Sequence, residues 1–192
     1  MPLGTDQKYF FYLKVTSDRG LRYWKASEAV SVESLEVNIW SDADWAGDRV
    51  DGKSTSGAFL AVNGRPIAWS SKKQAIVAMS TMEAEFIAGA TSVSECGWIR
   101  QLLQELLTIE IALSIMVESQ SAIRTMKNEM VSKHIKHIAL RYHFIKDETS
   151  KRRVSVKWCA TKDHLADILA KPLPRQAFEE LRCQGGKALV TR

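Results

Sequence analysis

The sequence predicts an α/β domain with a mixed five-stranded sheet and helices on both of its faces. Its 192 residues have ordinary globular composition, with 45% hydrophobic and 26% charged residues, and suffice for a sizeable core. Three strand-like segments follow one another, and helical and strand-like segments alternate after them. The resulting order, βββ-α-β-α-α-β-α, is typical of a sheet covered by helices.

The first three strands are predicted to form an antiparallel group. Apolar and polar residues alternate through the first half of segment 35–44, which is the pattern of a half-buried strand. The second and third strands are predicted over 57–62 and 66–70. Between them lies Asn63-Gly64, a strong signal for a tight hairpin turn.

The long helix is predicted to begin after Ser80, because Glu83 follows three residues later and the pair resembles a capping box. It is expected to break near Gly97. The predicted elements from there are a helix over 81–105, a strand over 112–117, a helix over 119–128, a helix over 134–147, a strand over 154–159, a helix over 163–171 and a helix over 174–183.

Composition also predicts the domain boundaries. The main domain is expected over 35–183, followed by a tail over 184–192. Segment 8–25 is too apolar for a free tail and is expected to pack on another surface. Segment 26–34 is small and polar, which is typical of a linker.

Charge and cysteine content limit the class of protein. The net charge is +5 and the pI is about 9.1, which permits a polyanionic partner without requiring one. Cys96, Cys159 and Cys183 are odd in number and lack metal-ligand spacing, so we expect free thiols in a reducing, intracellular compartment. No apolar run approaches the ~20 residues that span a bilayer, and the start lacks a signal-peptide layout.

Acidic residues recur where predicted elements begin or end. Converging carboxylates repel one another and raise their own pKa values unless cations lie between them. Mg²⁺ prefers oxygen ligands, and two such ions ~4 Å apart can support phosphodiester hydrolysis. Scattered surface acids are the alternative interpretation. The residues concerned are Asp42, Asp44, Glu83, Glu85, Glu118 and Asp167.

A series of short motifs runs through the chain in one order: SDADWAG at 41–47, KSTSG at 53–57, WSSKKQ at 69–74, STMEAE at 80–85, QSAI at 120–123, KHI at 136–138, RYHF at 141–144 and LADILAKPLP at 165–174. In this order they resemble the ribonuclease H domain of copia-type (Pseudoviridae-like) LTR retrotransposon Pol polyproteins. The resemblance covers about 37–182.

The resemblance implies a ribonuclease H-like fold and metal-dependent endonucleolytic cleavage of RNA in RNA–DNA hybrids. Residues 1–34 resemble the tail of the connection to a preceding reverse transcriptase. The implied partners are the RNA–DNA hybrid and the reverse transcriptase domain of the parent polyprotein, with no membrane and no small-molecule cofactor. The implied location is the cytoplasm, the nucleus or a virus-like particle.

The resemblance also implies a catalytic set that binds two Mg²⁺ ions, with Mn²⁺ as a substitute. Glu83 remains the alternative to Glu85, Asp163 is the alternative to Asp167, and Asp44 falls where the family often has a small polar residue. The four carboxylates that match the family's catalytic acids are Asp42, Glu85, Glu118 and Asp167.

Glu118 departs from the family's pattern, which has Asp at this position. The added methylene displaces the carboxylate, and ~1 Å of displacement in a preorganised site can cost ~100-fold in rate. The sequence therefore supports two hypotheses. One is an active ribonuclease H, and the other is an impaired relic that only binds nucleic acid or packs on a polymerase domain.

Several further side chains have two interpretations. His164 could assist proton transfer or be a solvated helix residue, and Trp45 and Trp69 are expected to pack in the core or at its rim. A basic group is predicted to contact hybrid phosphates, although each member alone could be a solvated charge. This group contains Lys72, Lys73, Lys136, His137 and Arg141.

Overall fold

The computed structural model describes residues 5–21, 23, 35–109, 111–127 and 139–185. Its centre is a five-stranded sheet in the order β3-β2-β1-β4-β5. Strands β1 to β3 are antiparallel neighbours, whereas β1, β4 and β5 run parallel. The predicted mixed sheet is therefore confirmed. The strands are β1 (Val37–Asp44), β2 (Thr55–Val62), β3 (Arg65–Lys73), β4 (Leu113–Val117) and β5 (Val154–Trp158).

Six helices accompany the sheet in the described part of the chain. Helices α2, α3 and α4 pack on one face, and α5 contacts β1, β2 and β3 from the other. The helices are α1 (Thr5–Val15), α2 (Thr81–Leu107), α3 (Gln120–Met126), α4 (Ala139–Ser150), α5 (Asp167–Ala170) and α6 (Arg175–Gly185). The helix predicted over 134–147 corresponds to α4, and the part of that prediction before residue 139 lies outside the described residues.

The first turn of α2 is fixed by two side chains. The Ser80 hydroxyl accepts a hydrogen bond from the Glu83 backbone N–H at 3.2 Å, as the capping-box pattern predicts. The Glu83 carboxylate in turn accepts from the Met79 N–H at 2.9 Å. The predicted break near Gly97 is wrong, because α2 continues through it to Leu107.

Alternation along β1 divides the core into two layers. Val37 and Ile39 face α2 in the larger cluster of buried side chains. Trp40 belongs to the opposite layer and contacts Phe59 edge-on at 5.9 Å between ring centroids. The hairpin after β2 has positive φ at Asn63 (49°) and Gly64 (72°), as a type I′ turn requires. These features hold the end of β1 between two helical layers.

The predicted helix over 163–171 is wrong in its first half. The chain forms a 3₁₀ turn at Thr161–Asp163, and α5 begins only at Asp167. His164 interrupts the helix with φ −88° and ψ 86°. This break turns His164 and Leu165 inward, where both are buried.

The apolar segment before the main domain forms α1 and leaves most of its large side chains in solvent. Phe10 is 74% exposed, and the packing of this segment on another surface stays a prediction. Tyr12 and Leu21 do line a groove with Phe59 and Trp69. The predicted linker over 26–34 lies outside the described residues. No helix in the described ranges is both long and apolar enough to cross a membrane.

Candidate active site

Asp42 lies near the end of β1 and is only 2% exposed. Its strand partner in the antiparallel register is Gly57 on β2. A side chain on Gly57 would meet α5, because a Cβ there would lie 2.5 Å from the Ala166 carbonyl oxygen and 2.7 Å from the Ala170 nitrogen. The glycine therefore permits α5 to approach the strand end that carries Asp42.

Asp167 is the first residue of α5 and is also 2% exposed. One turn later, the Lys171 ammonium lies 3.1 Å from Oδ2 of Asp167 and 3.2 Å from Oδ2 of Asp42. A single lysine thus bridges carboxylates from β1 and α5. The sequence reasoning did not single out Lys171, although its spacing of four from Asp167 fits a shared helix face.

His164 is fully buried beside Asp167, so the expectation of a solvated helix residue is wrong. Its Nδ1 lies 3.1 Å from Oδ1 of Asp167. His164, Asp42 and Asp167 each offer a ligand atom, and these atoms lie within 4.8 Å of one another. The misassigned helix concealed this arrangement, because a continuous helix would have placed His164 differently.

Glu85 completes the cluster from α2. Burial, the charge of Asp42 and a hydrogen bond with Asp42 raise the pKa of Glu85 to about 9, and Glu118 adds to the rise. Its Oε2 is buried, and no hydrogen-bond donor from the described ranges reaches it. Glu83 instead caps α2. The structure therefore places Glu85, not Glu83, beside Asp42.

The pKa values of the two aspartates in the cluster shift in opposite directions. Burial and the charge of Asp167 raise the pKa of Asp42, although Lys171 and His164 oppose the rise. Burial would also raise the pKa of Asp167, but the hydrogen bond from His164 and the charge of Lys171 hold it below its ordinary value. Asp167 is thus the more readily ionised carboxylate.

Glu118 lies at the same edge of the sheet but is half-buried and turned toward Thr161. The Thr161 hydroxyl donates a hydrogen bond to Oε1 of Glu118. The carboxylate still contributes to the electrostatic environment of Glu85. Glu118 is therefore near the other three acids, and one of its carboxylate oxygens already accepts a hydrogen bond from Thr161.

The alternative acids lie apart from this cluster. The Asp44 carboxylate packs over the turn at Gly47, where an added Cβ would lie 1.9 Å from its Oδ2. Asp163 is exposed in the 3₁₀ turn. Neither residue belongs to the group of ligand atoms formed by Asp42 and its neighbours among the described residues.

Two members of the predicted basic group form ion pairs with acidic residues, and two lie outside the described residues. Lys72 lies 3.5 Å from a Glu95 oxygen, and Lys73 pairs with Asp48 and Asp51. Arg141 lines a groove between α2 and α4. Lys136 and His137 lie outside the described residues. Trp45 donates a hydrogen bond to the Ala78 carbonyl, and Trp69 is 56% exposed and lines a groove with Phe59.

The donor set fits a divalent cation. Carboxylate oxygens are the ligands that Mg²⁺ and Mn²⁺ prefer. The buried Oε2 of Glu85 without a donor gives a specific reason, because such an oxygen is stabilised by a proton or a cation. Asp42, Glu85 and Asp167 would hold the ion, with His164 orienting Asp167.

Comparison with curated proteins gives a consistent set of relatives. The chain is 39% identical over 169 residues to the Pol polyprotein of transposon RE2 from Arabidopsis thaliana, a match of 88% of this chain and 11% of that protein. It is also 39% identical over 140 residues to that of transposon TNT 1-94 from Nicotiana tabacum, covering 73% of this chain and 10% of that protein. No protein-family model matches the chain.

The chain is homologous to one segment of the copia-type transposon Pol polyproteins. This confirms the resemblance seen in the motif series. A third such relative, the transposon RE1 protein of Arabidopsis thaliana, is 37% identical over 182 residues, which are 94% of this chain. The chain spans about a tenth of the length of the polyproteins that it matches, at 11% and 12% for the two Arabidopsis proteins.

Comparison with solved structures identifies the fold of the chain. The N-terminal RNase H domain of a Mycobacterium tuberculosis protein aligns with a TM-score of 0.52 at 17% identity, covering 77% of this chain and 96% of that chain. LC11-RNase H1, solved with an RNA/DNA hybrid, aligns at 0.54 and 16% identity, covering 70% and 94%. The chain has the ribonuclease H fold, as predicted.

Proposed function

We propose that this protein is a metal-dependent ribonuclease H that cleaves the RNA strand of RNA–DNA hybrids. The observation that carries the proposal is the convergence of three carboxylates from three different elements. Asp42 comes from β1, Glu85 from α2 and Asp167 from α5. Such a site holds more negative charge than protein cations alone neutralise, which favours bound divalent ions.

Each residue of the site has a separate task in this proposal. Asp42 and Asp167 are nearly inaccessible, so their positions are fixed by the strand and the helix that carry them. His164 holds one oxygen of Asp167 and leaves Oδ2 for a cation. Glu85 would have to lose its proton in order to hold a metal ion. Bound Mg²⁺ would supply an activated water and stabilise charge on the leaving oxygen.

The substrate class is proposed from homology, fold and charge. The homologous polyproteins come from retrotransposon-type elements, and one structural neighbour is described as bound to an RNA/DNA hybrid. The positive net charge suits such a polyanion. Lys72 and Lys73 would have to exchange their present acidic partners for phosphates, and Arg141 would add a positive charge from α4. The reverse transcriptase region of a parent polyprotein is the proposed protein partner.

Glu118 supports a second candidate, an impaired protein that binds hybrid without cutting it. Its carboxylate is longer than the family's Asp and is engaged by Thr161. If that contact persists, the site lacks a full fourth ligand. This alternative predicts binding of hybrid with little or no cleavage.

A labelled RNA–DNA hybrid separates these candidates. We expect cleavage of the RNA strand with Mg²⁺ or Mn²⁺ and its loss with EDTA. Asp42→Asn is expected to abolish cleavage, while the matched change Asp163→Asn, in the exposed 3₁₀ turn, retains it. Binding without cleavage in either metal would favour the impaired relic. Cleavage that survives Asp42→Asn would place the active site elsewhere.

A further inference from the structure

Lys171 is the C-cap residue of α5, the short helix whose first residue is Asp167. Its backbone N–H donates to the Asp167 carbonyl at 3.1 Å, so one helical turn fixes the separation of the two residues. Their side chains then lie on one face of α5, directed at Asp42. The lysine is thus built into the site by the element that supplies a ligand.

The Lys171 ammonium contacts one oxygen of each of the two aspartates that would hold a divalent ion. It lies 3.2 Å from Oδ2 of Asp42 and 3.1 Å from Oδ2 of Asp167. Both aspartates are 2% exposed, whereas the Lys171 side chain is 31% exposed. The lysine therefore closes the solvent side of the cluster, and its path outward is open.

Lys171 also acts on every carboxylate of the cluster. Its charge opposes the repulsion felt by Asp42 and Glu85 and favours the ionised form of Asp167. Other lysines near this edge have different partners, since Lys72 pairs with Glu95 and Lys73 with Asp48. A divalent ion on the same two oxygens would lie within a few ångströms of the ammonium and repel it.

We propose that Lys171 is a resident cation of the acid cluster and that a divalent ion binds there by displacing its charged ammonium. The proposal rests on metal binding at the proposed active site, but not on cleavage. In the metal-free protein the lysine keeps the carboxylates together. On metal entry it swings outward, still charged.

The principal test compares the parent protein with Lys171→Met and Lys171→Gln. Without metal, both variants are expected to melt at a lower temperature than the parent, because the aspartates lose their shared cation. Their apparent affinity for Mg²⁺, measured from the melting temperature against ion concentration, is expected to be at least ~10-fold tighter, since no charge-assisted contact has to break.

Lys151→Met is the matched control. Lys151 also pairs with an aspartate four residues earlier, Asp147, at 2.8 Å, but it lies just after α4 and its side chain is 56% exposed. Its loss is expected to leave the Mg²⁺ affinity of the protein unchanged. An equal effect of Lys151→Met and Lys171→Met would mean a general charge effect and would overturn the proposal.

A measurement on the parent protein covers the case in which metal-free variants do not fold. The ammonium signal of Lys171 in lysine-detected NMR is expected to shift or vanish on addition of saturating Mg²⁺, while that of Lys151 does not. An unchanged Lys171 signal in a protein that demonstrably binds Mg²⁺ would overturn the proposal.

The possible results separate this proposal from the proposed function. Tighter Mg²⁺ binding by the variants, with no hybrid cleavage by the parent, supports the resident cation and counts against the nuclease. Cleavage by the parent, with equal or weaker Mg²⁺ binding by both variants, supports the nuclease and overturns the resident cation. Absence of any Mg²⁺ or Mn²⁺ response in all proteins overturns both.

Discussion

At the residue scale, the carboxyl group of Glu85 faces that of Asp42 in a buried setting with few donors. Burial and the charge of Asp42 raise the pKa of Glu85 to about 9 although the Lys171 ammonium opposes the rise, so a proton occupies Glu85 at neutral pH in the metal-free protein. The stability of the metal-free protein is therefore linked to the protonation of this residue.

We expect Glu85→Gln to stabilise the metal-free protein at alkaline pH. The pKa of Glu85 is raised from 4.5 to about 9, so the stability contributed by its proton is fully present below pH 4.5 and is lost as pH rises toward and through 9. A neutral amide does not titrate. The melting temperatures of parent and variant, measured in EDTA, should therefore diverge as pH rises across this window.

The control for this experiment is Glu105→Gln. Glu105 lies on the same helix, is exposed and bonds Gln101 at 2.9 Å. Its melting curve should track that of the parent at every pH. Parallel pH curves for the parent and Glu85→Gln would show that Glu85 is ionised in the metal-free fold.

Glu118→Asp is expected to raise the rate of hybrid cleavage. The shorter side chain no longer reaches Thr161 in the same way, and its carboxylate withdraws toward the strand end anchored by buried Val117. A gain of ~10-fold corresponds to about 1.4 kcal/mol of barrier. Initial cleavage rates of both proteins at matched Mg²⁺ concentrations measure the change.

Two comparison variants define this result. Thr161→Val removes the hydroxyl that holds Glu118 and should also increase the rate, whereas Glu118→Gln removes the charge and should lower it. If Glu118→Asp is no faster than a clearly active parent, the longer acid is already accommodated.

The sequence carried enough information to place three of the acids but not their cationic neighbours. Asp42 and Asp167 follow from the strand end and the motif series, and the capping role of Glu83 supports the choice of Glu85. His164 depends on a break in the helix, whereas the spacing of four between Asp167 and Lys171 is a local signal that does not reveal the contact of Lys171 with Asp42. That break results from burial of His164 and its contact with Asp167, which no local pattern reveals.

At the element scale, the approach of α5 to β2 decides whether the site can form. Strand positions with alternating apolar residues were predictable, because periodicity reports burial directly. The four-residue α5 was not, because so short a helix depends on tertiary packing rather than on its own propensity. The helix α5 packs directly over Gly57, where the absence of a side chain leaves room for its backbone.

We therefore expect Gly57→Ala to weaken both the fold and the site. The new methyl group would collide with backbone atoms of Ala166 and Ala170, which cannot move without moving Asp167. The expected loss of unfolding free energy is about 1–3 kcal/mol, as for other overpacked positions. Chemical denaturation measures the loss, and Mg²⁺ titration should show weaker binding.

Gly97→Ala is the matched control on α2. A Cβ there meets nothing within 4 Å, so the change should stabilise the helix by up to about 1 kcal/mol. If Gly57→Ala behaves like Gly97→Ala, the close packing of α5 on β2 does not constrain the site.

At the scale of the whole molecule, α1 is attached to the sheet by few side chains. Phe10 and Phe11 are 74% and 60% exposed, whereas Tyr23 donates a hydrogen bond to the Pro66 carbonyl. The domain boundary at residue 35 was predicted from composition and stays a prediction.

Deletion of residues 1–34 is expected to leave a folded protein with a single cooperative melting transition. The sheet and both buried clusters lie within the retained chain, so the melting temperature should fall by no more than about 4 °C. Differential scanning calorimetry of both proteins measures this. Loss of the transition would show that α1 is an integral part of the domain.

The separation of Asp42 and Asp167 along the chain has a consequence for biosynthesis. The first belongs to the opening strand of the sheet and the second to a helix that follows the last strand. A ribosome must therefore complete nearly the entire domain before the two carboxylates can meet. A nascent chain stopped before α5 could pair its strands but would have no bridging ion pair, so a premature product could not acquire this cluster of charges.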